Sequence, residues 1–294
     1  MTDSSATEIG LSLKKKRGSP RALFNSFWTA LASLCMIITL IPLVAVLIFV
    51  MVQGLGQVNL DLFTKLPPPP GLSQGGIANA ILGTLLTVGL ATLIAVPIGV
   101  LTAVYLSEFS AGNQIAQLVR FATNVLSGVP SIIAGIFAYG LLVATKIVGF
   151  SAVAGGVALA VLMLPTIIRT TDEALQLVPQ EIRWAAFGLG AYNYQTVLKI
   201  VLPAAVPAIL TGVTLAIARA AGETAPLIFT ALFSNFWPKG IFEPIATLSV
   251  LVYNYAIVPF KPQQELAWAG SLILVLLVLI TSVGARWATR QKTY

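Results

Sequence analysis

The chain has 294 residues, 57% of them apolar and 9% charged, with a net charge of +7 and no histidine. An ordinary soluble domain carries roughly 25% charged residues, so this composition excludes a water-soluble globular protein and points to an all-α polytopic membrane protein. With no His, and with the single Cys35 inside an apolar segment, neither a His or Cys metal site nor a disulfide framework is available.

A helix needs about 20 residues to cross ~30 Å of hydrocarbon, and a window of that length predicts six transmembrane helices. They lie near 24–52, 78–106, 116–143, 148–168, 204–233 and 266–288. A basic tail over 1–23 precedes the first span, and 24–52 reads as a retained anchor. Its apolar run far exceeds a secretory h-region of about 7–15 residues, and no A-x-A cleavage pattern follows it. The first outer loop contains LPPPPG, a stiff polyproline II stretch that reads as a spacer. A core domain over 75–288 follows, and 289–294 form a short tail.

Within that core, PIATLSVLVYNYAIVP runs from Pro244 to Pro259 and contains Ser249, Asn254 and two tyrosines. Its polarity and flanking prolines predict an interfacial or re-entrant segment instead of a seventh span. With six spans both termini share a side. Lys14, Lys15, Lys16, Arg17, Arg21, Arg120, Arg169, Arg183, Lys199, Arg286, Arg290 and Lys292 fall on that side, against Lys65, Lys146, Lys239 and Lys261 on the other. Twelve cations against four predict cytoplasmic termini. The positive charge therefore reflects orientation in membrane lipid, and no nucleic-acid partner is expected.

Between the fourth and fifth spans, the cytoplasmic residues 169–203 carry dense local signals. Pro179 suits a helix start, and Ile182, Ala185, Ala186 and Leu189 fall at i, i+3, i+4 and i+7. Gly188 and Gly190 supply the stop, Asn193 reads as the N-cap of a second short helix, and Pro203 opens the fifth span. Read from residues alone, the amphipathic helix either lies on the membrane surface or docks another protein through its small alanines.

In the fifth span, AIARAAGETAPLIFTALF places Arg219 and Glu223 among residues that otherwise belong in lipid. An Arg there costs roughly 2.5–3.5 kcal/mol on insertion scales, so such charges usually line a bundle interior or an aqueous route. Two readings stand: a path for an anion, or an i,i+4 pair whose members lower each other's cost. Ala208, Gly212, Ala216 and Ala220 recur every four positions and predict a close helix contact. Gly222 and Pro226 predict a helix break beyond the charged pair, because Pro226 has no N–H to offer the carbonyl of Gly222.

The loop resembles that of importer permeases in the ABC transporter superfamily, whose pattern is E-A-A, three residues, Gly, nine residues, Ile-x-Leu-Pro. Ala185, Ala186, Gly190, Ile200, Leu202 and Pro203 match in register, while Trp184 stands where the pattern has Glu. Three further segments, GGIANAILGTL, VPSIIAGIF and ARAAGETAPL, are similar to the phosphate-importer permeases, and the resemblance runs from Gly75 to the C-terminus. After G-E-T this chain continues Ala225, Pro226, Leu227, which distinguishes it from the sister permease of the same importers.

The resemblance implies the type I importer fold with a cytoplasmic coupling helix. It also implies a permease heterodimer with a sister phosphate permease, two copies of a cytoplasmic ATPase, and an extracytoplasmic phosphate-binding protein. Arg219, Glu223 and Thr224 are then expected on the substrate path, with Gly222 and Pro226 as the helix break. Ala185, Ala186 and Gly190 are expected to meet the ATPase, with Glu181 and Arg183 as substitutes for the missing motif Glu.

No Gly-Lys dipeptide occurs, so the chain has no P-loop, and ATP with Mg is expected on the ATPase alone. A nucleophile with its base is likewise missing from the apolar segments, so the chain is not expected to be an enzyme. The alternatives are a permease for another oxyanion such as phosphonate and, in a different class, a passive anion channel.

Overall fold

The computed structural model describes residues 20–110 and 113–290; the basic run from Lys14 to Arg17 and the final residues with Lys292 lie outside the described residues. Two compact units divide at Phe49 and Val50. In the first, the described residues form the start of helix α1 (Pro20–Leu55), which continues through Pro42. All contacts discussed below lie in the second unit.

There α2 (Leu60–Thr64) and α3 (Ala78–Val104) are followed by α4 (Gln114–Gly128), α5 (Ser131–Ala138) and α6 (Ala152–Gln176). Next come α7 (Gln180–Gly188), α8 (Asn193–Thr196), α9 (Leu202–Gly222), α10 (Ala225–Thr230), α11 (Leu248–Ala256) and α12 (Lys261–Arg290). Among the described residues, three wide π turns interrupt the helical path: Tyr105–Phe109 after α3, Tyr139–Ala144 after α5, and Val197–Val201 between α8 and α9.

Five helical stretches among the described residues are long and apolar enough to cross a membrane: Leu23–Leu55, Ala78–Phe109, Ala152–Gln176, Asn193–Gly222 and Lys261–Ala285. The expected third span differs from the others. Gln114–Gly128 and Ser131–Ala144 meet at 108°, so this stretch is a sharply bent pair and not one straight crossing helix. Pro130 explains the break: it lacks an N–H and disfavours the helical region for the residue before it, and Val129 is extended at ψ 128. The fifth span also ends earlier than expected, since α9 stops at Gly222, and it begins earlier, at Asn193. The fourth reaches further, to Gln176.

α6 is the centre of the unit, packing against α3, α4, α5, α9 and α10. Lipid is as apolar as the side chains, so association here rests on close backbone approach. Gly99 of α3 meets Ile167, where a Cβ would lie 2.7 Å from the isoleucine Cγ2, and Gly212 of α9 leaves no room for a Cβ against Thr170. Ala216 and Ala220 continue the buried stripe. Ala208 does not belong to it, being exposed; Ala205 and Ile209 take its place because the face turned to α6 follows 205, 209, 212, 216 and 220.

α11 has nine residues and reaches only about 13 Å, too short to cross, in keeping with the re-entrant expectation. Its start is fastened to α3: Thr84 Oγ1 accepts from the Leu248 N–H at 2.8 Å, and Gly83 has no space for a Cβ beside the Ala246 carbonyl. The proline loop is held as well. Gln263, almost fully buried, donates to the Pro69 carbonyl at 3.1 Å and accepts from the Gly71 N–H at 3.4 Å.

Candidate functional site

At the end of α9 the chain leaves the helix abruptly. Glu223 is extended (φ −71, ψ 127), and α10 begins at Ala225 with Pro226 in its first turn, where a missing N–H does no harm. The expected loosening is therefore a full break over Glu223 and Thr224. Backbone freed at such a place must find partners elsewhere. Ser249 of α11 provides one, its hydroxyl donating to the Glu223 carbonyl at 2.9 Å. On the other side Gly135 of α5 meets Pro226, a Cβ on the glycine falling 2.5 Å from the proline Cα.

Arg219 Nε donates to Glu223 Oε1 at 3.4 Å, a long contact for a charged hydrogen bond. The partners are unequally covered. The Arg219 side chain is 58% exposed and that of Glu223 16%. Nη1 and Nη2 of Arg219 make no hydrogen bond with a described residue, so the planar end of the fork faces outward. A guanidinium presented in this way suits a tetrahedral oxyanion, which it can bind through two parallel bonds. Gly222, also exposed, lines a groove of about 530 Å³ walled by Leu274, Val275, Val278 and Ser282 of α12. Thr224 is half-buried at the break.

The second cluster is the loop between α6 and α9. α7 ends at Gly188, and Gly190 turns the chain at φ +85, which only glycine adopts without strain. α8 starts one residue earlier than an Asn193 cap would require, with Tyr192 at the cap position: Gln195 Oε1 accepts from the Tyr192 N–H at 3.0 Å and closes the helix start. Pro203 does not open a new helix, because the π turn Val197–Val201 joins α8 to α9 continuously.

Two of the expected ATPase-facing residues point the other way. Ala186 is 4% exposed, and Arg183 is buried with its guanidinium turned into the protein. Glu181, Ala185 and Gly190 remain exposed, joined by Ile182, Trp184, Phe187 and Leu189. The helix thus shows a broad apolar face instead of a stripe of alanines. Tyr192 and Tyr194 stack beside it at 6.1 Å between ring centroids.

Arg183 turns inward because five acceptors receive it. Nη2 binds Glu108 Oε1 at 2.8 Å and the Leu175 carbonyl at 2.9 Å, while Nε reaches Glu108 Oε2 at 3.3 Å. Nη1 donates to the Val178 carbonyl and to Gln180 Oε1 at 3.1 Å. Glu108 sits in the π turn that ends α3. Arg120 of α4 holds the same turn by donating to the Leu106 carbonyl at 3.1 Å, and it pairs with Asp172 of α6 at 3.6 Å.

Sequence reasoning did not find Glu108, Ser249 or the contact of Gly135 with Pro226. Each depends on a partner far along the chain. The signal nearest to hand was the scarcity of charge: a single acid in YLSEF, at the end of an apolar run, needs a cation.

The family described as binding-protein-dependent transport system inner membrane component matches residues 95–293. The phosphate transport system permease protein PstA of Yersinia pestis is 41% identical over 281 residues, covering 96% of this chain and 95% of the relative. Its namesake from Haemophilus influenzae is 43% identical over 272 residues, 92% of this chain and 96% of that protein. PstA 1 of Mycobacterium tuberculosis H37Rv is 35% identical over 280 residues, 92% and 91%.

Among solved structures, the chain is similar to a bacterial alginate ABC transporter (TM-score 0.65, 16% identity, 91% of this chain and 95% of that one). It is also similar to the inward-facing methionine transporter MetNI (TM-score 0.61, 20% identity, 74% and 96%). At these identities the likeness concerns the fold, which is that of ABC importer permeases.

Proposed function

The chain belongs to the binding-protein-dependent transport system inner membrane component family, and on that premise we propose that it is the transmembrane permease subunit of an ATP-driven importer of inorganic phosphate. The observation that carries the reading is identity of 41–43% over nine-tenths of the chain to phosphate transport permeases, joined to an outward-facing Arg219 at a helix break. The role is non-enzymatic.

Arg219 receives the phosphate oxyanion on its path, and Glu223 holds the guanidinium when the path is empty, since a carboxylate would itself repel the anion. Thr224, Gly222 and Pro226 shape the opening. The exposed face of Glu181, Ile182, Trp184, Ala185 and Leu189, with Gly190 at its end, docks one of two cytoplasmic ATPase subunits, which alone hold ATP and Mg. A sister permease completes the path, and an extracytoplasmic phosphate-binding protein delivers the substrate. Both termini and the loop 169–203 face the cytoplasm, a reading supported by the charge asymmetry.

Vesicles reconstituted with this chain, a sister permease, the ATPase and the binding protein supply the test. Labelled phosphate should accumulate against its gradient only when ATP is present on the ATPase side. Equilibration without ATP would mean a channel, and ATP-dependent accumulation of labelled phosphonate with none of labelled phosphate would mean a different oxyanion.

A further inference from the structure

We infer that Arg183 and Glu108 form a strut that transmits movement of α7 into the membrane helices, so that Arg183 is a positioning residue for coupling and not a contact with the ATPase. The inference rests on the reading of α7 as the ATPase dock. The two residues lie 75 positions apart, and their side chains are 11% and 8% exposed. Through one planar group, Arg183 joins the last turn of α6 (Leu175), the linker to α7 (Val178), the first residue of α7 (Gln180) and the π turn ending α3 (Glu108). A rigid fork with five donors can hold that many acceptors at once, whereas an ammonium cannot fix their directions.

The chemistry of the loop makes such a strut necessary. Val178 bends the chain and Pro179 is extended at ψ 140, so no continuous helix carries force from α7 back to α6. Gly190 makes the joint on the other side a turn. Between these two joints α7 is a nine-residue lever, and the buried pair is its connection to α3. A buried pair of this kind adds little stability over apolar packing, yet removing one partner leaves the other charge uncompensated. Its retention is explained by position: α3 packs along α6 and also contacts α9, the helix that ends at Arg219 and Glu223.

The test uses the complete importer with Glu108→Gln, Arg183→Gln and the two combined. Glu108→Gln keeps the shape of the side chain and lies away from the exposed face of α7. We expect each single variant to co-purify with normal amounts of ATPase and to hydrolyse ATP. Phosphate moved per ATP should fall on the order of tenfold, which corresponds to about 1.4 kcal/mol of coupling. The double variant should be no worse than either single one, because both changes break one link.

Loss of ATPase co-purification with Arg183→Gln, while Glu108→Gln behaves as wild type, would make Arg183 a direct contact and overturn the strut. An unchanged transport ratio in both variants would reduce the pair to packing and overturn it as well. Stimulation of ATP hydrolysis by the binding protein is read in the same vesicles. A wild-type importer with that stimulation but no phosphate uptake would sink the substrate reading alone; the strut then stands if both variants lose the stimulation and falls if they keep it.

Discussion

The Cα of Pro226 lies 2.5 Å from the point where a Cβ would stand on Gly135, so α5 and α10 touch backbone to backbone beside the break in α9. Gly135→Ala forces that contact apart. Overpacking of this kind costs about 1–3 kcal/mol, and a lowered thermal midpoint of the detergent-solubilised chain is the expected result. Gly128→Ala, at a glycine with nothing within 4 Å, is the control and should leave the midpoint where it was or raise it.

Arg219→Lys keeps the charge and loses the two-pronged fork. Phosphate uptake should fall sharply while membrane abundance persists. The double change Arg219→Leu with Glu223→Leu separates a pathway role from simple neutralisation, because an ion pair kept only for mutual neutralisation is replaceable by apolar side chains. Uptake by the double variant should be lost with the complex intact; near-normal uptake at matched abundance would remove Arg219 from the path.

Ala185 and Ala186 are neighbours with opposite fates. Ala185→Asp places a charge on the exposed face of α7, so co-purification of the ATPase should drop while the permease keeps its abundance. Ala186→Asp buries an unpaired carboxylate at a site 4% exposed, and the permease itself should be lost from the membrane. Equal co-purification of the ATPase with wild type and Ala185→Asp would place the dock elsewhere.

Sidedness can be read by thiol labelling in a Cys35→Ser background. A cysteine at Lys239 should react with an impermeant reagent from outside, and one at Gly188 only after permeabilisation. Immediate labelling at both positions would reverse the assigned orientation of the loop.

Much of this architecture was legible because its signals are local. Runs of apolar residues mark α3, α6, α9 and α12, and Gly190 marks the turn that follows α7. Two features were blurred by averaging: a window of about 20 residues passes over the single Pro130, and it runs on past Gly222 because APLIFT is apolar again. The inward turn of Arg183 was hidden for another reason. Nothing near it in the chain distinguishes a guanidinium that meets a partner protein from one that meets Glu108, since the difference lies in where the end of α3 comes to rest. The helix period of α7 predicted an apolar face correctly but could not tell which of Ala185 and Ala186 lies at its edge.

The π turn Val197–Val201 carries a consequence for how this chain tolerates insertions and deletions. Each residue of an α-helix advances the azimuth by about 100° and the axis by 1.5 Å, and a π turn accommodates one residue more than a regular turn. Deleting a single residue here would let α8 and α9 close into an ordinary helix with their two flanks in nearly the same azimuth, because the turn already absorbs the extra residue. A deletion inside α9 has no such reserve and would rotate everything before it, α7 included, by about 100°. Transport should therefore survive the first change far better than the second.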